Sequence, residues 1–295
     1  MPAELDIVAA ENRRLVREVK ELRGRVTALE SSRWWRAHPR FLLRRLRARV
    51  ATSDRPNAPA AAAARPSIEP AADDGLLARF REEVVARGSF RSDMVSGRFP
   101  TWEPFLQELE GRRAQILEIG SFEGMSACYF LWRLRDAHLT CIDTFAGGAS
   151  FAALGQDVSG LEAAFDRNIS LVDGARVRKL VGDSAHHLLE LVHAGERFDL
   201  VFVDGSDLAL DVLVDAALSW QLLEPGGVLI FDNYLWRSPL GEDSLFQPAP
   251  AIDAFLDLVR SHCDILTKEG QVIARRAAAP SAPDRSAEIA AASTR

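Results

Sequence analysis

Cysteine is scarce in this chain. There are three in 295 residues, Cys128, Cys141 and Cys263, far apart and without a Cys-x-x-Cys spacing. That argues against a disulfide framework, and the two in apolar stretches read as buried, reduced thiols of a cytoplasmic protein. No run approaches the ~18–20 apolar residues that cross a bilayer. The charged N-terminus lacks the apolar core of a secretion signal, so neither a secreted nor an integral membrane protein is expected. An overall basic excess is missing too: the net charge is −6. Acidic residues nevertheless vanish between Ser31 and Thr52, where seven arginines fall. Such a block implies a polyanionic surface, either lipid headgroups or nucleic acid. The apolar fraction of 47% and charged fraction of 26% are ordinary for a globular protein.

The chain divides by composition. Residues 1–32 carry heptads, with Leu5, Asn12, Val19 and Val26 at position a and Val8, Leu15, Leu22 and Leu29 at d. β-branched residues at a with leucine at d favour a parallel two-stranded coiled coil, and a single asparagine at a sets its register. A homodimer is therefore expected, although one amphipathic helix lying on its own domain fits the same pattern. Residues 33–50 form a basic amphipathic segment with Trp34 and Trp35, suited to peripheral contact at the inner membrane face. An Ala/Pro-rich stretch over 51–74 reads as a disordered linker, 75–276 as the folded domain, and 277–295 as a disordered tail.

Within the folded domain, apolar strand-like runs alternate with helical patterns, which indicates an α/β fold with a parallel sheet. The runs are 115–119, 139–142, 177–181, 200–203 and 228–231. After four of them comes an acidic residue: Asp143, Asp183, Asp204 and Asp232. Ligands of such sheets bind at the carboxyl ends of the strands. The first run opens Leu117-Glu118-Ile119-Gly120-Ser121-Phe122-Glu123-Gly124-Met125-Ser126. Its glycines allow a tight turn and close approach of backbone to ligand. A dinucleotide fingerprint needs glycine where Phe122 stands, and Glu118 would repel a pyrophosphate. A cationic ligand fits better.

These motifs resemble the class I S-adenosylmethionine-dependent methyltransferases. The branch suggested by Leu117–Gly124, Ile142-Asp143-Thr144, Val203-Asp204-Gly205-Ser206 and the run 222–234 includes small-molecule and glycan O-methyltransferases. The resemblance implies a Rossmann-like, seven-stranded, mostly parallel sheet whose last strand is antiparallel, with 264–267 and 271–274 as its final strands. It also implies that Glu118, Gly120, Ser121, Gly124 and Ser126 hold the methionine portion, that Asp143 accepts from the ribose hydroxyls, and that Asp183 and Ser184 face the adenine. Asp204 joins that cofactor set. In the catechol-type members, an aspartate and a later Asp-Asn pair hold Mg²⁺; here these would be Asp204, Asp232 and Asn233, oxygen donors that suit a hard cation.

The sequence departs from those members at one position. Their catalytic lysine, three residues after the first aspartate, is replaced by Asp207. Asp207 reads as a metal ligand, a general base or the N-cap of a helix over 208–222; with Asp204 it is the catalytic candidate. His186 and His187 are further candidate bases. Two segments, 146–160 and 234–250, are expected to rim the acceptor pocket. Competing readings are a nucleic-acid methyltransferase with a basic arm and a non-catalytic coiled-coil scaffold. Against the first stand an acidic domain and the lack of an Asn-Pro-Pro-Tyr motif.

Overall fold

The computed structural model describes residues 74–278, all within one compact unit of the chain, Pro66–Arg295. The expected coiled coil and basic segment lie outside the described residues, as do nearly all of the linker and tail. In chain order the elements are α1 (Asp74–Glu83), α2 (Phe99–Leu109), β1 (Gln115–Ile119), α3 (Met125–Arg133), β2 (His138–Asp143), α4 (Ala149–Ala153), α5 (Leu161–Ile169), β3 (Val177–Val181), α6 (Ser184–Ala194), β4 (Phe198–Val203), α7 (Ala209–Leu222), β5 (Leu223–Phe231), α8 (Pro248–Val259), β6 (Cys263–Lys268) and β7 (Val272–Arg276). No described helix is long and apolar enough to cross a membrane.

The sheet has seven strands in the order β3-β2-β1-β4-β5-β7-β6. Four ladders are parallel, while β7 runs antiparallel to both β5 and β6. The sheet is therefore mixed, where a mostly parallel one was expected. The reason lies in the connection: a three-residue turn joins β6 to β7, and only an antiparallel pair closes over so short a link.

Strand alternation divides the apolar residues between two cores. Ile116, Leu139, Cys141, Leu200, Phe202 and Ile230 face α2 and α3, where Trp102 stacks on Phe130 at 5.1 Å and touches Phe202 at 5.0 Å. Leu117, Ile119, Ile142, Val201, Val203 and Phe231 face α7 and α8 on the other side. With both faces covered, the central strands are apolar throughout, as parallel strands tend to be. Cys128 and Cys141 are buried and all three cysteines are free.

Between β1 and β4 the chain changes direction. From β1 it winds outward through β2 and β3, then crosses to β4 and β5 on the other side. The crevice at such a switch point is where open α/β sheets take ligands.

Candidate active site

Four backbone bonds carry the parallel ladders one residue past the strands: Gly182 N–H to Asp143 O, Gly120 N–H to Ile142 O, Asp204 N–H to Ile119 O and Asp232 N–H to Val203 O, at 2.8–3.0 Å. The strand ends are thereby held in one row, and their acidic residues with them. Gly120 sits at the centre of the row with φ +84°. A Cβ there would lie 2.1 Å from the carbonyl oxygen of Asp204, so the glycine loop rests directly on the chain leaving β4. Asp143 clamps the loop from the other side. Its Oδ2 accepts the amides of Ser121 and Phe122, both at 2.7 Å, and its Oδ1 accepts that of Phe145 at 2.7 Å. Phe122, Phe145 and Asn233 all have positive φ (48°, 50° and 59°), a conformation costly for a side-chain-bearing residue and concentrated here at three strand ends.

Glu118 is fully buried beneath this loop. Alternation turns it onto the α2–α3 face beside Cys141, its register partner on β2. Ser121 and Ser126 each donate a hydroxyl to its carboxylate at 2.5 Å. Both serines are thus engaged by Glu118, which organises the loop from below and contributes charge to the space above it. Burial pushes its pKa up to about 7, and Asp143 nearby adds to the rise. Ionising a carboxyl with so high a pKa costs the fold about 3 kcal/mol relative to one near 4.5. The penalty is absent below pH 4.5 and complete above pH 7. Glu118→Gln is therefore expected to melt above the parent at pH 8, with the gap closing as pH falls to 5. A gap that stays constant over thermal melts in that range would show that folding does not raise the Glu118 pKa.

Asp183 takes the local role open to it, capping α6 by accepting from His186 N–H at 3.1 Å. Ser184 points inward and donates to Asp215 Oδ1 at 2.7 Å. Asp215, on α7, is buried; its second oxygen has no hydrogen-bond partner, and burial raises its pKa to about 6. Its signal in sequence is an acid on the inward stripe of α7 formed by Val212, Ala216, Ser219 and Leu222.

On the other side of Gly120, Asp204, Asp207 and Asp232 come together. Asn233 Nδ2 donates to Asp204 Oδ1 at 2.9 Å, which leaves the amide oxygen of Asn233 as a donor for a cation. Burial first, then the charges of Asp232 and Asp207, push the Asp204 carboxyl well above the usual range. Asp207 is raised by burial and by Asp232, against a hydrogen bond with Ser150 of α4. This corrects one expectation: the N-cap of α7 is Leu208, and Asp207 makes no cap bond. Ser206 and Asp211 fill that place, with Leu208 N–H bonded to the Ser206 hydroxyl and that hydroxyl to Asp211 at 2.7 Å. Asp207 is left to face the crevice.

Three residues that sequence reading missed support Asp232. Gln271 Nε2 donates to Asp232 Oδ1 at 3.0 Å, and Trp102 Nε1 donates to Gln271 Oε1 at 2.9 Å, which fixes the amide's orientation. Arg98 Nε lies 3.9 Å from the same carboxylate oxygen. No spacing marks these residues; Gln271, expected to open the last strand, instead stands in the turn before β7, which begins at Val272. The rim segments also fall into place. From 146–160, Ser150 meets Asp207, and Phe151 packs on Phe122 at 5.3 Å between centroids. In 234–250, Leu235, Trp236 and Leu245 stay exposed, an apolar edge beside the acids. His186 and His187 sit at the start of α6, behind the outermost strand β3, and no contact joins them to this acidic cluster.

Residues 117–234 match the family model described as a methyltransferase domain. Residues 117–234 are a methyltransferase domain. A probable caffeoyl-CoA O-methyltransferase of Dictyostelium discoideum is 25% identical over 179 residues, covering 57% of this chain and 65% of that protein. The MycE methyltransferase of the mycinamycin biosynthetic pathway, solved with Mg and SAH, superposes with a TM-score of 0.50 at 14% identity, covering 70% of this chain and 57% of that one. The O-methyltransferase TomG of Streptomyces achromogenes, solved with SAM, is 22% identical with a TM-score of 0.45, covering 70% of this chain and 91% of that one. This chain thus spans just under two thirds of the curated relative's length and less of MycE's. The fold is that of the class I methyltransferases. Every site residue selected from sequence, Glu118 through Asn233, falls inside the matched methyltransferase domain; Arg98, Trp102 and Gln271 lie outside it.

Proposed function

We propose that this protein transfers a methyl group from S-adenosylmethionine to an oxygen of a small molecule, a glycan among the candidates, with a divalent cation at Asp204, Asp232 and Asn233. The observation that carries the reading is the glycine loop pressed onto Asp204 in a row of strand-end carboxylates. A concentration of buried negative charge with hard oxygen donors suits a sulfonium and ammonium on one side and Mg²⁺ on the other.

Gly120 and Gly124, with the loop amides of Ser121 and Phe122, shape the floor for the methionine portion. Glu118 supplies the negative potential from below, and Ser121 and Ser126 hold it in place. Asp143 retains one lone pair on Oδ1 for a ribose hydroxyl, and Asp183 with Ser184 borders the adenine side. S-adenosylmethionine supplies the electrophilic methyl, and a bound cation supplies acidity to the acceptor hydroxyl. Asp207, raised in pKa and unattached to a helix cap, takes the proton as the new O–C bond forms and the C–S bond breaks. Asp204 orients the acceptor oxygen together with Asn233. Gln271 and Arg98 keep Asp232 in place, and 146–160 and 234–250 close around the acceptor.

Outside the described residues, the heptads of 1–32 support a homodimer, and the arginines and tryptophans of 33–50 support peripheral attachment at the inner membrane face of a cytoplasmic protein. The linker 51–74 would give the catalytic domain, 75–276, reach from that anchor, with 277–295 as a tail. Calorimetry tests the core of the reading: S-adenosylhomocysteine should bind one to one and NAD should not. The reverse result would overturn it.

A further inference from the structure

We propose that the first two turns of α6 carry a second metal site, for a transition-metal dication of the Zn²⁺ type, built from His186, His187 and Glu190. One ligand atom from each lies within 4.8 Å of the other two. His186 Nε2 stands 3.4 Å from Glu190 Oε1, and His187 Nδ1 stands 3.1 Å from Glu190 Oε2. Atoms bound to tetrahedral zinc at about 2.0–2.1 Å are roughly 3.3 Å apart. Both His–Glu gaps are of that size. Helical geometry produces them, because residues three and four apart share a face.

The orientation of the His187 ring supplies a second observation. Its Nε2 lies 3.2 Å from the carbonyl oxygen of Val181, at the end of β3. A carbonyl only accepts, so Nε2 carries a hydrogen, and the neutral ring that a metal requires has its lone pair on Nδ1. Nδ1 is thereby aimed at Glu190 Oε2, where either a proton or a metal ion can sit between the two atoms. In the metal-bound form one ion takes the place of that proton and draws in His186 as well. The Val181 contact is the outer-shell bond that commonly orients a metal-bound imidazole. Gly182 makes room for it: a Cβ at that position would lie 2.9 Å from His187 Nε2.

Two imidazoles and one carboxylate select zinc, cobalt or nickel over Mg²⁺, the reverse of the preference of the all-oxygen cluster. His186 and Glu190 are well exposed, at 69% and 60%, so the ion has free entry and open positions for water. Bound there, it would clip the start of α6 to the end of β3.

Titration of the full, tag-free chain with Co²⁺ in excess MgCl₂, read by visible d–d absorption, tests the site. One equivalent is expected, displaced by Zn²⁺ and retained in Asp204→Ala. His186→Ala removes an exposed ring that holds no part of the core, and it should weaken cobalt binding at least about tenfold. A smaller effect, loss of the band in Asp204→Ala, or no band in the parent chain would overturn the proposal.

Discussion

Asp232→Ala is expected to lower methyl transfer by about a thousandfold while leaving S-adenosylhomocysteine affinity within a few-fold of the parent. The magnitude follows from the several kcal/mol that a Lewis-acidic cation contributes to a charge-separating step. The separation of effects follows from position. Asp232 ends β5, two strands from the Gly120 loop, and its contacts are Gln271 and Arg98 rather than any residue of the cofactor floor. Chelation with EDTA should reproduce the loss in the parent, and added Mg²⁺ should restore the parent but not the variant. Initial rates and calorimetry on the same preparations decide the matter. Full turnover in EDTA, or an active Asp232→Ala, would remove the metal from the reaction and leave Asp207 as the main chemical group.

The second large effect is expected of Gly120→Ala. The new Cβ would stand 2.1 Å from a backbone carbonyl oxygen, in a residue with φ +84°. A left-handed alanine costs roughly 1–2 kcal/mol, and overpacking against backbone adds about 1–3 kcal/mol more. For a domain of this size that is a fall in Tm of about 10 °C. Because the loop and the Asp204 segment must move apart, cofactor binding should be lost with it. Gly160→Ala is the control. It has a similar φ, +70°, but nothing within 4 Å of the added carbon, so only the conformational part of the cost should appear. Equal melting temperatures for the two variants would show that the glycine loop does not lean on β4.

These two positions differ in how visible they were beforehand. Gly120 stands in a local pattern, a glycine after a short apolar run and before a helix, and the reason for glycine is partly local too. Asp232 was visible as an acid after a strand. What supports it was not. Gln271 lies 39 residues further on and reaches it only because β7 runs antiparallel beside β5, and Arg98 enters from a turn before α2. Asp207 shows the opposite error. A helix start needs a capping group, and Asp207 was well spaced to be one, but the Ser206 and Asp211 pair filled that need.

Glu118 gained most from the tertiary structure. From sequence it was an acid that would attract a cationic ligand; alternation in β1 turned it into the core, so its charge acts through two serines and a shared strand environment. By itself, the sequence determined what depends on short range: the strands and helices, the glycine turn and the acids that follow the strands, since periodicity and backbone sterics act over a few residues. Only the tertiary structure decided which acids face one another, which serve as caps and which carry a raised pKa. Those properties depend on strand order and burial, and both are set by contacts between residues far apart in the chain.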